Sequence, residues 1–147
     1  MFFAGPCAGG SPWNRLNRNM GSLTAHNIQL KAFECWELWE EFAKCLNEAL
    51  FIGAKAMLEL PRGCDYWRDK RMMDMVRGTD SNTDGFDGCM YGLRSRFRNV
   101  GVPIKEPWRI ISWGVSFNKL LSKCDGSHDH EQCAGKETRV TQLYTLH

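Results

Sequence analysis

The 147-residue chain lacks an apolar run long enough to span a bilayer, which excludes a membrane-spanning helix from the expected elements. It lacks a charge excess: 19 basic and 17 acidic residues leave a formal net charge of +2. No nucleic-acid footprint therefore covers the whole chain, and a basic patch has to be local. No basic segment precedes the apolar residues Met1 to Ala4, so a secretory signal is not expected. Repeats and low-complexity linkers are missing too. The seven cysteines are odd in number and scattered, which argues against a disulfide scaffold. The expected setting is reducing and intracellular, nuclear or cytoplasmic. What the chain does have is six tryptophans, a sign of a large aromatic core or an adhesive surface.

Phe2 to Ala4 read as the end of a buried strand, and Gly5 to Ala25 as a long Gly/Asn/Ser-rich loop with room for a short helix. The segment NIQLKAFECWELWEEFAKCLNEALFIGA places Ala32, Cys35, Trp36, Trp39, Phe42, Ala43, Leu46, Ala49 and Leu50 at helical spacing, with Glu37, Glu40, Glu41, Lys44 and Glu48 largely opposite. This stripe suits core packing, and the alternative is a docking face for a partner. AMLELP, Ala56 to Pro61, reads as a buried strand stopped by proline. A helix is expected from Asp65 to Val76, a turn cluster at TDSNTDG, and strands from Phe86 to Leu93 and from Pro107 to Trp113. A short helix, Val115 to Leu121, precedes a polar Cys/His tail. The order strand, helix, strand, helix, strand, strand specifies an α/β fold with a partly parallel sheet.

Three constellations can carry chemistry. Ligands of open parallel sheets bind beyond the carboxyl ends of the strands. Cys7 follows the first expected strand and Glu59 lies near the end of the second, so neighbouring strands would bring a thiol and a carboxylate to one crevice. The plain alternative is a buried, inert Cys7 and a Glu59 that caps or pairs locally. In the tail, CDGSHDHEQC gathers Cys124, His128, His130 and Cys133, a thiolate and imidazole set suited to a structural zinc ion. A variant in which three of the four bind and Cys89 or Cys64 completes the shell is the alternative, and no H-E-x-x-H helix points to a catalytic metal. GLRSRFRNVGVPIK carries Arg94, Arg96, Arg98 and Lys105 around Phe97, a pattern that fits phosphate contacts with base stacking, or simply a solvated loop.

AGPCAGGSPW resembles the Pro-Cys loop of DNA cytosine-5 methyltransferases, and LELP resembles that family's later Glu-containing strand end. GCMYGL, KEPWRIIS and the Cys/His stretch are similar, in that order, to methyltransferase-like segments of phage-like and retroelement polyproteins. The resemblance implies a partial Rossmann-like methyltransferase half-sheet of about four strands, with an antiparallel pair near the C-terminus, flanked by helices. It implies Cys7 as nucleophile and Glu59 as base contact, with Arg94 or Arg96 on the base side and a flipped base as target. The family's cofactor-binding half, with its Gly-rich strand turn, has no counterpart in these residues. The expectation is a degenerate or truncated DNA/RNA cytosine methyltransferase-like domain associated with a mobile element. It would be inactive alone and would bind S-adenosylmethionine only with the missing half supplied. Residues 1–123 would form that domain and 124–147 a zinc-stabilised tail. The alternative is a small zinc-stabilised module that binds nucleic acid or protein without catalysis. Expected partners are nucleic acid and a second copy or partner domain that completes the sheet.

Overall fold

The computed structural model describes residues 1–5, 7–119 and 121–141. Its strands are β1 (Phe2–Ala4), β2 (Ala56–Pro61), β3 (Ser81–Asp87) and β4 (Pro107–Trp113). Its helices are α1 (Asn14–Asn17), α2 (Ser22–Phe51), α3 (Lys70–Val76) and α4 (Glu137–Val140). The strands form one mixed sheet in the order β1-β2-β4-β3. β1 and β2 run parallel, and β4 pairs antiparallel with both β2 and β3. This is an α/β fold with the expected partial Rossmann-like half-sheet. Among the described residues no helix is long and apolar enough to cross a membrane.

The core lies between α2 and one face of the sheet. Ile28, Cys35, Trp39, Phe42, Leu46 and Ala49 recur every three, four or seven residues and are the buried face of α2. The helix stops where Gly53 takes φ +69, with Gly53 N–H donating to Leu50 and Ala54 N–H to Ala49, the Schellman pattern that glycine allows. Ala56, Leu58 and Leu60 of β2 and Ile111 and Trp113 of β4 meet that face. Phe3 joins them, stacked on Phe42 at 4.5 Å between ring centroids. Strand alternation therefore turns Met57, Glu59 and Pro61 to the other side of the sheet.

Three expectations are corrected. The polar SNTDG segment is a strand, not a turn, and β3 ends at Asp87, where a 3-10 turn from Gly88 to Tyr91 takes over. β3 is an edge strand, so polar side chains suit its solvent side, and pairing with β4 outweighs local turn preference. The expected helix from Asp65 breaks at Asp69, whose extended backbone and carboxylate cap α3 through Arg71 N–H at 2.9 Å. No helix forms over residues 115–119 and 121; Leu120 lies outside the described residues.

The topology gathers one rim. β1, β2 and β3 end there, and β4 begins there, with Asp87 opposite Pro107 and Pro61 opposite Trp108. Both candidate sites stand on this rim.

Candidate metal centre and rim cleft

β3 ends by delivering Asp87, Gly88 and Cys89 to the rim. The chain that leaves β4 returns to the same place, because Asp87 N–H donates to Ser122 O at 3.1 Å and Ser122 N–H to the Tyr91 hydroxyl at 2.9 Å. Asp87, buried at 4% exposure, accepts from Cys124 N–H at 2.9 Å through its carboxylate. Gly126 then turns with φ +81, a value that favours glycine, while Asp125 accepts from Ser127 N–H at 2.9 Å. This tight turn brings His128 and His130 back over Cys124. Their Nε2 atoms lie 3.7 and 3.4 Å from Cys124 Sγ. With Cys89 they form a set of four donors, each within 4.8 Å of the others, that can hold a metal ion. Gly126 N–H donates to Cys124 Sγ at 3.3 Å, a contact that helps fix the position of the sulfur.

Three of the four residues, Cys124, His128 and His130, are those expected from the tail. Cys133 is replaced by Cys89, one of the two completions the spacing left open; Cys64 is buried in the core instead. Cys133 is carried away because the chain straightens after His130: Glu131 N–H donates to Pro103 O at 2.8 Å and bridges to Ile104. Cys133 Sγ then donates to Glu106 Oε2 at 3.2 Å and lies 3.4 Å from Thr141 Oγ1. Burial pushes its thiol up to about 12.

Glu106 and Cys133 line a rim cleft of about 850 Å³ that also holds Cys7, Trp13, Lys105 and Trp108. Cys7 thus reaches a cleft at the carboxyl end of β1, as expected of a strand-end thiol; Pro6, the other half of its dipeptide, lies outside the described residues. Glu59 does not join it. Leu58 and Leu60 face α2, so Glu59 points to the opposite side of the sheet, whereas Cys7 packs on the α2 core. The carboxylate that Cys7 senses is Glu106. Burial first and the charge of Glu106 second raise the Cys7 thiol above its ordinary value, which lowers its thiolate fraction.

The four basic residues are also separated. Arg94 donates to Gly101 O at 2.8 Å and closes its own loop. Arg96 is exposed, Arg98 stands 3.7 Å from Glu131, and Lys105 lines the cleft. Phe97 is 53% exposed at the tip of the loop. The sequence did not point to Glu137, whose buried carboxylate accepts from Ser95 Oγ at 2.6 Å and from the backbone of the basic loop. A single glutamate in a polar tail carries no motif, and only the closure of the tail on the loop reveals it. Comparison of the chain with models of known protein families, with curated proteins and with solved structures finds no match.

Proposed function

We propose that the chain is a zinc-stabilised α/β module that binds single-stranded nucleic acid through its basic, aromatic-tipped loop. The carrying observation is the convergence of Cys89, Cys124, His128 and His130, two thiols and two imidazoles from two separate segments. Tetrahedral zinc with its usual bond lengths spaces such ligands roughly 3.3–3.8 Å apart. The two Cys124–histidine distances, 3.7 and 3.4 Å, fall in that range. Zinc here would supply structure rather than Lewis-acid chemistry, since four protein donors fill a tetrahedral shell. Its effect would pass directly to the loop. The residue after His130 is Glu131, which accepts from Asn99 Nδ2 at 2.5 Å and faces Arg98. A pinned tail thus buttresses a loop that presents Arg96, Arg98 and Phe97 to solvent, a suitable arrangement for phosphate contact and base stacking.

The test is binding of a fluorescent single-stranded oligonucleotide at two salt concentrations. Contact with about three phosphates gives a log–log salt slope near −2, so affinity falls roughly 20-fold between 50 and 200 mM salt. Arg96→Ala should weaken binding and flatten that slope by about 0.7. Binding that ignores salt rules the proposal out.

A second reading keeps the methyltransferase-like chemistry, and one observation favours it: Cys7 lies in a rim cleft beside an acid, Glu106. It requires a reactive thiol. The raised Cys7 leads to the opposite expectation, that iodoacetamide at neutral pH modifies the exposed Cys45 well before Cys7, as read by peptide mass mapping. Faster modification of Cys7 would restore the nucleophile.

A further inference from the structure

At the base of the exposed loop an anion is already bound, and it belongs to the chain itself. Ser95 Oγ donates to Glu137 Oε1 at 2.6 Å. The N–H groups of Arg96, Phe97 and Arg98 donate to the same carboxylate at 3.1, 2.8 and 3.2 Å. Four consecutive residues thus aim their donors at one point, the concave arrangement of main-chain N–H groups that receives phosphates and other anions. Glu137 fills it completely, at 1% exposure. The Ser95 hydroxyl, followed by the backbone N–H groups, holds its carboxyl down to about 2, so the occupant is an anion at any physiological pH.

The surrounding charge exceeds what this occupant uses. Arg94, Arg96 and Arg98 bring three positive charges into or next to this segment; Arg98 stands 3.7 Å from Glu131, and among the described residues the exposed Arg96 side chain has no acidic partner. A carboxylate offers two oxygens and one charge. A phosphate offers a third oxygen and, as a monoester, a second charge, both of which suit guanidinium groups. We propose that residues 95–98 form a phosphate-binding nest that Glu137 fills from within, so that α4 competes with an incoming phosphate group for the basic loop. For its macromolecular ligand the inference rests on the nucleic-acid reading; for phosphate itself it stands apart from it.

The experiment empties the nest in the full-length, metal-loaded protein. Glu137→Ala should gain a saturable rise in melting temperature with inorganic phosphate, while the parent protein gains none. It should bind a 5′-phosphorylated oligonucleotide at least about tenfold more tightly than the parent, because apparent affinity scales with the fraction of molecules whose nest is open. An unphosphorylated oligonucleotide of the same sequence separates a terminal phosphate from the backbone diester. If Glu137→Ala folds only when phosphate is present, that rescue also supports the nest. A folded Glu137→Ala with unchanged metal content and no response to phosphate overturns it. Should that variant fail to fold even in phosphate, Glu137→Gln decides: its amide matches the carboxylate in shape but is neutral, and a folded, phosphate-blind Gln variant, or one that also fails to fold, leaves Glu137 a purely structural residue. A response to phosphate without any oligonucleotide binding would keep the nest and remove the nucleic-acid reading.

Discussion

Chelation of the proposed zinc ion should lower the melting temperature by on the order of 10 °C and detach the tail from the rim. The magnitude follows from mass action. A ligand that binds only the folded state, present at a thousand times its dissociation constant, contributes ~4 kcal/mol. Each kcal/mol moves the midpoint of a domain of this size by about 2–4 °C. Cys124→Ser should reproduce the loss, because Cys124 Sγ faces both histidines. Cys89→Ser should do the same, although Cys89 stands far from the tail in sequence. Cys133→Ser is the control. It sits on Glu106 and Thr141, so the protein should keep about one zinc per chain by metal analysis. The structural consequence is specific. Glu131, Gln132, Cys133 and Thr138 form one wall of the rim cleft, and they follow directly on the ligand loop. Hydrogen exchange of residues 122–135 should therefore quicken on chelation, while the amides of β2 and β4 keep their protection. Retention of full stability by the metal-free protein would sink the zinc centre.

The extent to which the sequence revealed this molecule depended on the range of the signals. The α2 stripe was legible because a helix repeats its signal every turn, and the charged residues opposite it agree. β2 and β4 were legible as apolar runs bounded by proline or glycine. β3 was not, because an edge strand carries polar residues and its pairing partner, β4, supplies what propensity does not. The tail revealed three of the candidate ligands because Cys124, His128 and His130 are close in sequence. For the fourth, the sequence left Cys89 and Cys64 open, and only the meeting of the end of β3 with the return of the chain at Ser122 selects Cys89. The Cys7–Glu59 pair shows the opposite limit. The two strands are neighbours, as expected, with Ala4 opposite Glu59, yet one residue of alternation sends Glu59 to the other face. Glu106, from a loop, stands in the cleft instead.

Trp39→Ala should cost about 3–5 kcal/mol, which decides whether the tryptophan-rich stripe is core or docking face. Trp39 is 1% exposed. Its ring meets Phe3 at 5.2 Å, Tyr66 at 5.5 Å and Phe42 at 6.0 Å between centroids, all edge-on. Gly5 passes so near that a Cβ there would stand 2.8 Å from Trp39 Cη2, so the β1 end of the sheet is seated on this indole. Removing the ring leaves a cavity against parts that cannot all collapse, and chemical denaturation should show a lower midpoint with an unchanged slope. Trp39→Phe should cost far less. The indole N–H is buried with no hydrogen-bond partner among the described residues, and phenylalanine eliminates that orphan while it keeps most of the packing. Phe33, on the same helix but 65% exposed, supplies the contrast: Phe33→Ser should change stability by no more than about 0.5 kcal/mol. If the stripe served a partner instead, the order would invert, with Trp39→Ala harmless to the isolated protein.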